Sequence, residues 1–187
     1  MTAQQLYKKG IQWFEPTADN YMPLKATASD IRKTDKMNHF TWDEIAEFAE
    51  KDRFMFDYRS GGAGDWKAEG KPGNGFLLSE VNGTPYWTDA LGQIPFAVDK
   101  FTDELESTGS VEKARLRTIE VGKQFGDGIG IRSDNSNGYD NAMIKRAINW
   151  AAKRYKVGIK KGLFFDTYIL KKTDYSSNNL SKPSNEK

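Results

Sequence analysis

Residues 75–88 read GFLLSEVNGTPYWT. Two apolar and aromatic runs flank Asn82-Gly83, and an Asn-Gly pair in that setting is the strongest short hairpin signal a sequence carries, because both central residues of the tight turn need a positive φ. Pro85 has no amide hydrogen to give to a ladder, which puts its strand at a sheet edge. Immediately downstream, PFAVDKFTDELESTG (95–109) has proline near a first helical turn, Val98, Phe101 and Leu105 on one face, and Gly109 as its stop. A hairpin running on into an amphipathic helix sets the expected class: α+β, a single domain of several helices with a small antiparallel hairpin or sheet.

Working outward, TWDEIAEFAEK (41–51) pairs Thr41 with Glu44 as a capping box and spaces Trp42, Ile45, Phe48 and Ala49 on one helical face. SVEKARLRTIEVGKQF (110–125) alternates between Ala114 and Val121 but follows a serine cap, and helix is the favoured reading. NAMIKRAINWAAKRYKVG (141–158) gathers Met143, Ile144, Ala147, Ile148, Ala151 and Tyr155 on one face, with Asp140 expected as N-cap and Gly158 as the glycine past the C-terminus. GLFFDTYILKK (162–172) reads as a closing strand. Three regions follow: residues 1–40 as a helix and irregular arm packed on the core, 41–172 as the core, and 173–187 as a disordered tail.

Composition narrows the chemistry. Of 187 residues, 37% are hydrophobic and 13% aromatic, enough for a ring-rich core in one domain. Lys and Arg number 28 against 26 Asp and Glu, a balance that names no partner. The absence of cysteine closes thiol catalysis, thiolate zinc sites and disulfides, and a single histidine, His39, closes multi-histidine metal sites. No metal or cofactor is expected. The oxygen-rich stretch Asp134, Asn135, Ser136, Asn137 and Asp140 does not fit the calcium-loop frame. No apolar run reaches a membrane-spanning length, and the start MTAQQLYKKGIQW has no apolar signal core, so no membrane span or signal peptide is expected.

Carboxylates and rings remain as candidate machinery. In the glycine-rich stretch 60–75, Asp65, Trp66 and Lys67 set an acid, a stacking ring and a cation side by side, a combination suited to sugars or bases. Glu80 and Asp89 flank Tyr86 and Trp87 across the hairpin. Two acids are what glycoside cleavage needs, one to protonate the leaving oxygen and one to support the cation-like transition state or activate water. Asp140 reads first as a cap and second as an acid at a helix start. His39 belongs to the class of side chain that exchanges protons near neutral pH. Lys145, Lys153, Lys156, Lys160, Lys161, Lys171 and Lys172 form a basic surface able to meet phosphates or an anionic cell wall.

Glu80, Asp89 and Gly92, spaced E-x₈-D-x₂-G, resemble the pattern of phage-type lysozymes; Pro95 stands where those enzymes have a catalytic threonine. A longer resemblance runs from Phe56 to Tyr155. Gly61 and Gly62, then Asp65, Trp66 and Lys67 with tryptophan and aspartate in the opposite order, are followed by Leu91, Gly92, Gln93 and Phe96. Gly122 and Gln124 come next, and then Asp140 before Met143, Ile144, Ala147 and Ile148. This order is similar to that of the polymorphic toxin type 44 domain of bacterial secreted toxins.

The resemblance implies an antibacterial effector delivered by a dedicated secretion machine without a signal peptide and neutralised by a cognate immunity protein. The expected activity is hydrolysis of the peptidoglycan glycan in the target-cell periplasm. Glu80, Asp89, Asp65 and Asp140 are the candidate catalytic residues, and Trp66, Lys67, Tyr86, Trp87 and Gln124 the substrate-binding ones. The alternatives are a metal-independent ribonuclease toxin acting in the cytoplasm, with His39, Lys67 or a basic cluster facing phosphate, and a non-enzymatic binding module.

Overall fold

A computed structural model of the chain describes residues 38–48, 58, 62, 64–65, 78–82, 84–126 and 137–175. Its strands are β1 (Asn38–Phe40), β2 (Leu78–Val81), β3 (Thr84–Trp87), β4 (Tyr155–Lys160) and β5 (Thr167–Lys172). Its helices are α1 (Trp42–Glu47), α2 (Thr88–Leu91), α3 (Gln93–Thr108), α4 (Val111–Gly126) and α5 (Asn137–Arg154). The class is α+β, as the hairpin-plus-helix reading requires.

The Asn-Gly hairpin forms β2 and β3, with Leu78 opposite Trp87 and Glu80 opposite Pro85. Asn82 sits at φ 49°, the left-handed value its turn demands. Pro85 lies on an edge strand, since the sheet order is β1-β2-β3. The other edge is filled by a parallel pairing with no counterpart in the sequence reading, where β1 puts His39 beside Glu80 and Phe40 beside Val81. Residues 38–40 thus belong to the core sheet rather than to an irregular arm. The amide of Asn82 donates to the Phe40 carbonyl at 2.9 Å, and its side-chain Oδ1 accepts from the Trp42 amide at 2.8 Å. One asparagine therefore shapes the hairpin and fixes the start of α1.

The capping box of α1 is complete: Thr41 Oγ1 accepts from the Glu44 amide at 3.1 Å and Glu44 Oε2 accepts from the Thr41 amide at 2.7 Å. Helix α3 begins at Gln93, so Pro95 falls in its first turn, where a missing amide hydrogen costs nothing. Ser110 caps α4, its Oγ accepting from the Lys113 amide at 3.3 Å, and the helix reading of that stretch prevails over its local alternation.

Two expectations around α5 are corrected. The helix starts at Asn137, so Asp140 lies within its first turn and is not the N-cap. It also ends at Arg154 and passes directly into β4, so Gly158 is mid-strand opposite Ile169 rather than a helix stop. Pairing with β5 overrides the local stop signal there. The closing strand starts at Thr167, and residues 161–166 form the connection. Residues 173–175, assigned to the tail, are pinned: the Thr173 amide donates to the Arg154 carbonyl at 2.7 Å, and the Arg154 guanidinium donates to the Thr173 and Tyr175 carbonyls at 2.9 Å each.

The core lies where α3, α4 and α5 pack together, with α3 and α5 also against the β4–β5 hairpin. Val98, Phe101, Leu105, Met143, Ala147, Ile148 and Ala151 are all buried. A column of rings crosses it. Trp42 meets Tyr86 edge-on at 6.3 Å and stacks on Trp150 at 6.3 Å, and Trp150 meets Tyr155 edge-on at 6.2 Å. The column links the first sheet, α1, α5 and the start of β4.

Candidate functional site

One pair of the candidate residues is brought together. Parallel registration of β1 with β2 sets His39 next to Glu80, and His39 Nδ1 stands 3.3 Å from Glu80 Oε1. The imidazole is 68% exposed and the carboxylate 31%, so the pair meets solvent while resting on a sheet. The neighbouring positions of β2 face the other way: Ser79 and Val81 are fully buried, and Ser79 Oγ shares a 2.8 Å hydrogen bond with Thr88 Oγ1. Strand alternation therefore separates a closed core face from an open face that carries Glu80. With Nδ1 turned toward the Glu80 carboxylate, Nε2 is the ring nitrogen directed away from it.

Of the other candidates, the side chains of Tyr86, Asp65, Asp140 and Gln124 are described. Tyr86, expected as a stacking platform, is 2% exposed; its ring meets Trp42, and the Arg146 guanidinium lies 5.7 Å from its centroid. It is a wall of the core, and no face is open to a substrate. Asp65 is 8% exposed, and its amide closes a turn onto the Gly62 carbonyl at 3.1 Å. Asp140 is half-buried in the first turn of α5, and Gln124 is exposed near the end of α4. Trp66 and Lys67 lie outside the described residues, as do the side chains of Trp87 and Asp89, whose backbones end β3 and enter α2. Among the described residues, no three His, Asp or Glu side chains gather as a metal site.

Gly122, half of the glycine-glutamine pair, has a packing role. A Cβ there would stand 2.7 Å from Ile144 Cδ1, so the glycine lets α4 approach α5 closely. Arg115 reinforces the same contact, donating to Asn149 Oδ1 at 2.6 Å.

Nothing local in the sequence ties His39 to residue 80. The tie is the parallel strand pair, formed across the glycine-rich stretch.

Comparison of the sequence with protein-family models and with curated proteins, and of the fold with solved structures, returned no match. The similarity to type 44 toxins accordingly rests on the motif residues quoted above.

Proposed function

We propose that the chain is a toxin-like antibacterial effector that cleaves RNA without a metal, using His39 and Glu80 as its acid/base pair. The observation that carries this reading is the 3.3 Å approach of His39 Nδ1 to Glu80 Oε1 on the open side of a sheet. In the proposed step, His39 Nε2 takes the proton of a ribose 2′-hydroxyl, the 2′-oxygen bonds to the adjacent phosphorus, and the bond to the 5′-oxygen breaks, that oxygen gaining a proton from water. Glu80 orients the imidazole and stabilises the imidazolium. Such positioned proton transfer is worth roughly 10²–10⁴-fold in rate.

Glycan cleavage is the second reading. Its support is that the hairpin places Glu80 on β2 and Asp89 on the adjoining α2, but it needs a second carboxylate in reach of the first. The type 44 resemblance favours an effector in either case, with a secretion-system component and a cognate immunity protein as partners.

The two readings separate cleanly. Expression without a periplasmic signal is expected to harm the host, and purified protein is expected to cut RNA but not isolated cell wall. His39→Gln and Glu80→Gln should each lower RNA cleavage by about 100-fold or more with the thermal midpoint unchanged, because both side chains are at the surface. Harm confined to periplasmic export, with muropeptide release lost in Glu80→Gln and kept in His39→Gln, would replace RNA with the glycan.

A further inference from the structure

The β4–β5 hairpin is sided along its length and exposed at its end. At its base, Tyr155 is buried and Val157 and Leu170 pack against the core. From Ile159 to Tyr168 every residue is exposed. The connection carries Leu163, Phe164 and Phe165 at 92%, 84% and 84% exposure, and Ile159 and Tyr168, paired across the strands, continue the apolar stripe inward at 62% and 41%. Large apolar groups this open, contiguous and at the end of a projecting finger mark an interaction surface.

The charge around the stripe identifies the partner. Residues 155–172 hold five lysines against one aspartate, Asp166, which pairs with Lys161 at 3.5 Å. Lys156 and Lys171 stand directly opposite one another across the ladder, a like-charged pair that disfavours the isolated hairpin. The alternation sets Lys156, Lys160 and Lys171 on the face opposite the stripe formed by Val157, Ile159, Tyr168 and Leu170. The end of the Lys171 side chain lies over Gly158, where an added Cβ would stand 2.6 Å from its Cε and 3.1 Å from its Nζ.

We infer that the β4–β5 hairpin is an anionic-lipid docking element: Leu163, Phe164 and Phe165 enter the interfacial layer of a membrane while the lysines behind them meet acidic headgroups. An apolar wedge with a basic collar matches the layered chemistry of such a surface, apolar inside and negatively charged outside. Among the described residues, no helix is long and apolar enough to span a membrane. The inference is independent of the reaction proposed for His39 and Glu80.

The test uses the full chain and vesicles of phosphatidylcholine alone or with about one third phosphatidylglycerol. The chain is expected to sediment with the anionic vesicles about tenfold more strongly than with the neutral ones, and added salt should weaken that binding. The double variant Phe164→Ser, Phe165→Ser should lose about tenfold in binding with an unchanged circular dichroism spectrum. Lys160→Glu with Lys171→Glu should erase the preference for anionic lipid. Phe164→Trp supplies a direct readout, a blue shift of emission on adding anionic vesicles beyond any shown by the unmodified chain. Equal sedimentation with both vesicle types, serine variants that bind as well as the parent, or a Phe164→Trp variant whose emission shifts no more than the parent's would each overturn the inference. So would a serine variant that keeps vesicle binding but dissolves a dimer of this chain, which would make the finger a protein contact.

Discussion

Gly109 is where a single residue decides how a helix ends. Its φ of 65° is left-handed, its amide closes α3 onto the Leu105 carbonyl at 2.8 Å, and the Tyr168 ring lies over it so closely that a Cβ would stand 2.5 Å from Cζ. Backbone preference and packing therefore select glycine together. Gly109→Ala is expected to cost about 1–3 kcal/mol, from the left-handed penalty and displacement of the Tyr168 ring, read as a lower thermal midpoint. Asn82, at φ 49°, meets a similar demand by other means, since asparagine tolerates that region and its side chain can serve the backbone. Both positions were legible in the sequence because their requirements are local. His39 was not, because its meaning comes from Glu80, a residue distant in the chain and reached through a three-residue strand too short to show alternation.

At the scale of elements, most of the helices and the hairpin could be read because periodicity and caps point the same way: Thr41 with Glu44, Ser110 with Lys113, Asn82 between apolar runs. Tertiary pairing outweighs the local signal at Gly158, which β5 draws into β4, whereas at Asp140 the helix begins three residues earlier and the carboxylate supports the first turn of α5 from inside it. Helix α3 carries an electrostatic burden of its own. Asp103, Glu104 and Glu106 crowd its C-terminal half, its last turn has no basic residue, and Lys100 is engaged with Glu104 at 2.9 Å. Desolvation of the Asp103 carboxyl, despite its place at the surface, holds it above its ordinary 3.8; Glu106 and Glu104 push the same way and Lys100 opposes them. A carboxyl that keeps its proton more readily when folded weakens the fold as pH rises above the ordinary carboxylate range, and the penalty disappears below that range, where both states are protonated. Asp103→Asn should therefore stabilise the fold at neutral pH by less than about 1 kcal/mol after solvent screening, read as a slightly higher thermal midpoint, and the gain should vanish in acid.

For the whole molecule, the column Tyr86–Trp42–Trp150–Tyr155 gives the two sheets a common support, because each ring belongs to a different element and none of the four is more than 3% exposed. Trp150 sits at helical spacing from Ala147, so its burial was available to the same periodicity that found Met143 and Ile144. The adjacent Asn149 and Lys153 made that flank of α5 read as polar. Arg154 closes the arrangement from outside, lying 3.7 Å from Asp43 on α1 while holding the carbonyls of Thr173 and Tyr175. Trp150→Ala opens a large cavity at the centre of the column and is expected to cost about 3–5 kcal/mol in denaturant unfolding. Trp150 Nε1 has no hydrogen-bond partner among the described residues, so Trp150→Phe sheds an unsatisfied buried donor along with the lost area and should cost clearly less than the alanine change. If the column couples the sheets, amide exchange in Trp150→Ala should accelerate in β2 and β4 together, whereas acceleration in β4 alone would show that α5 carries the second sheet without the first.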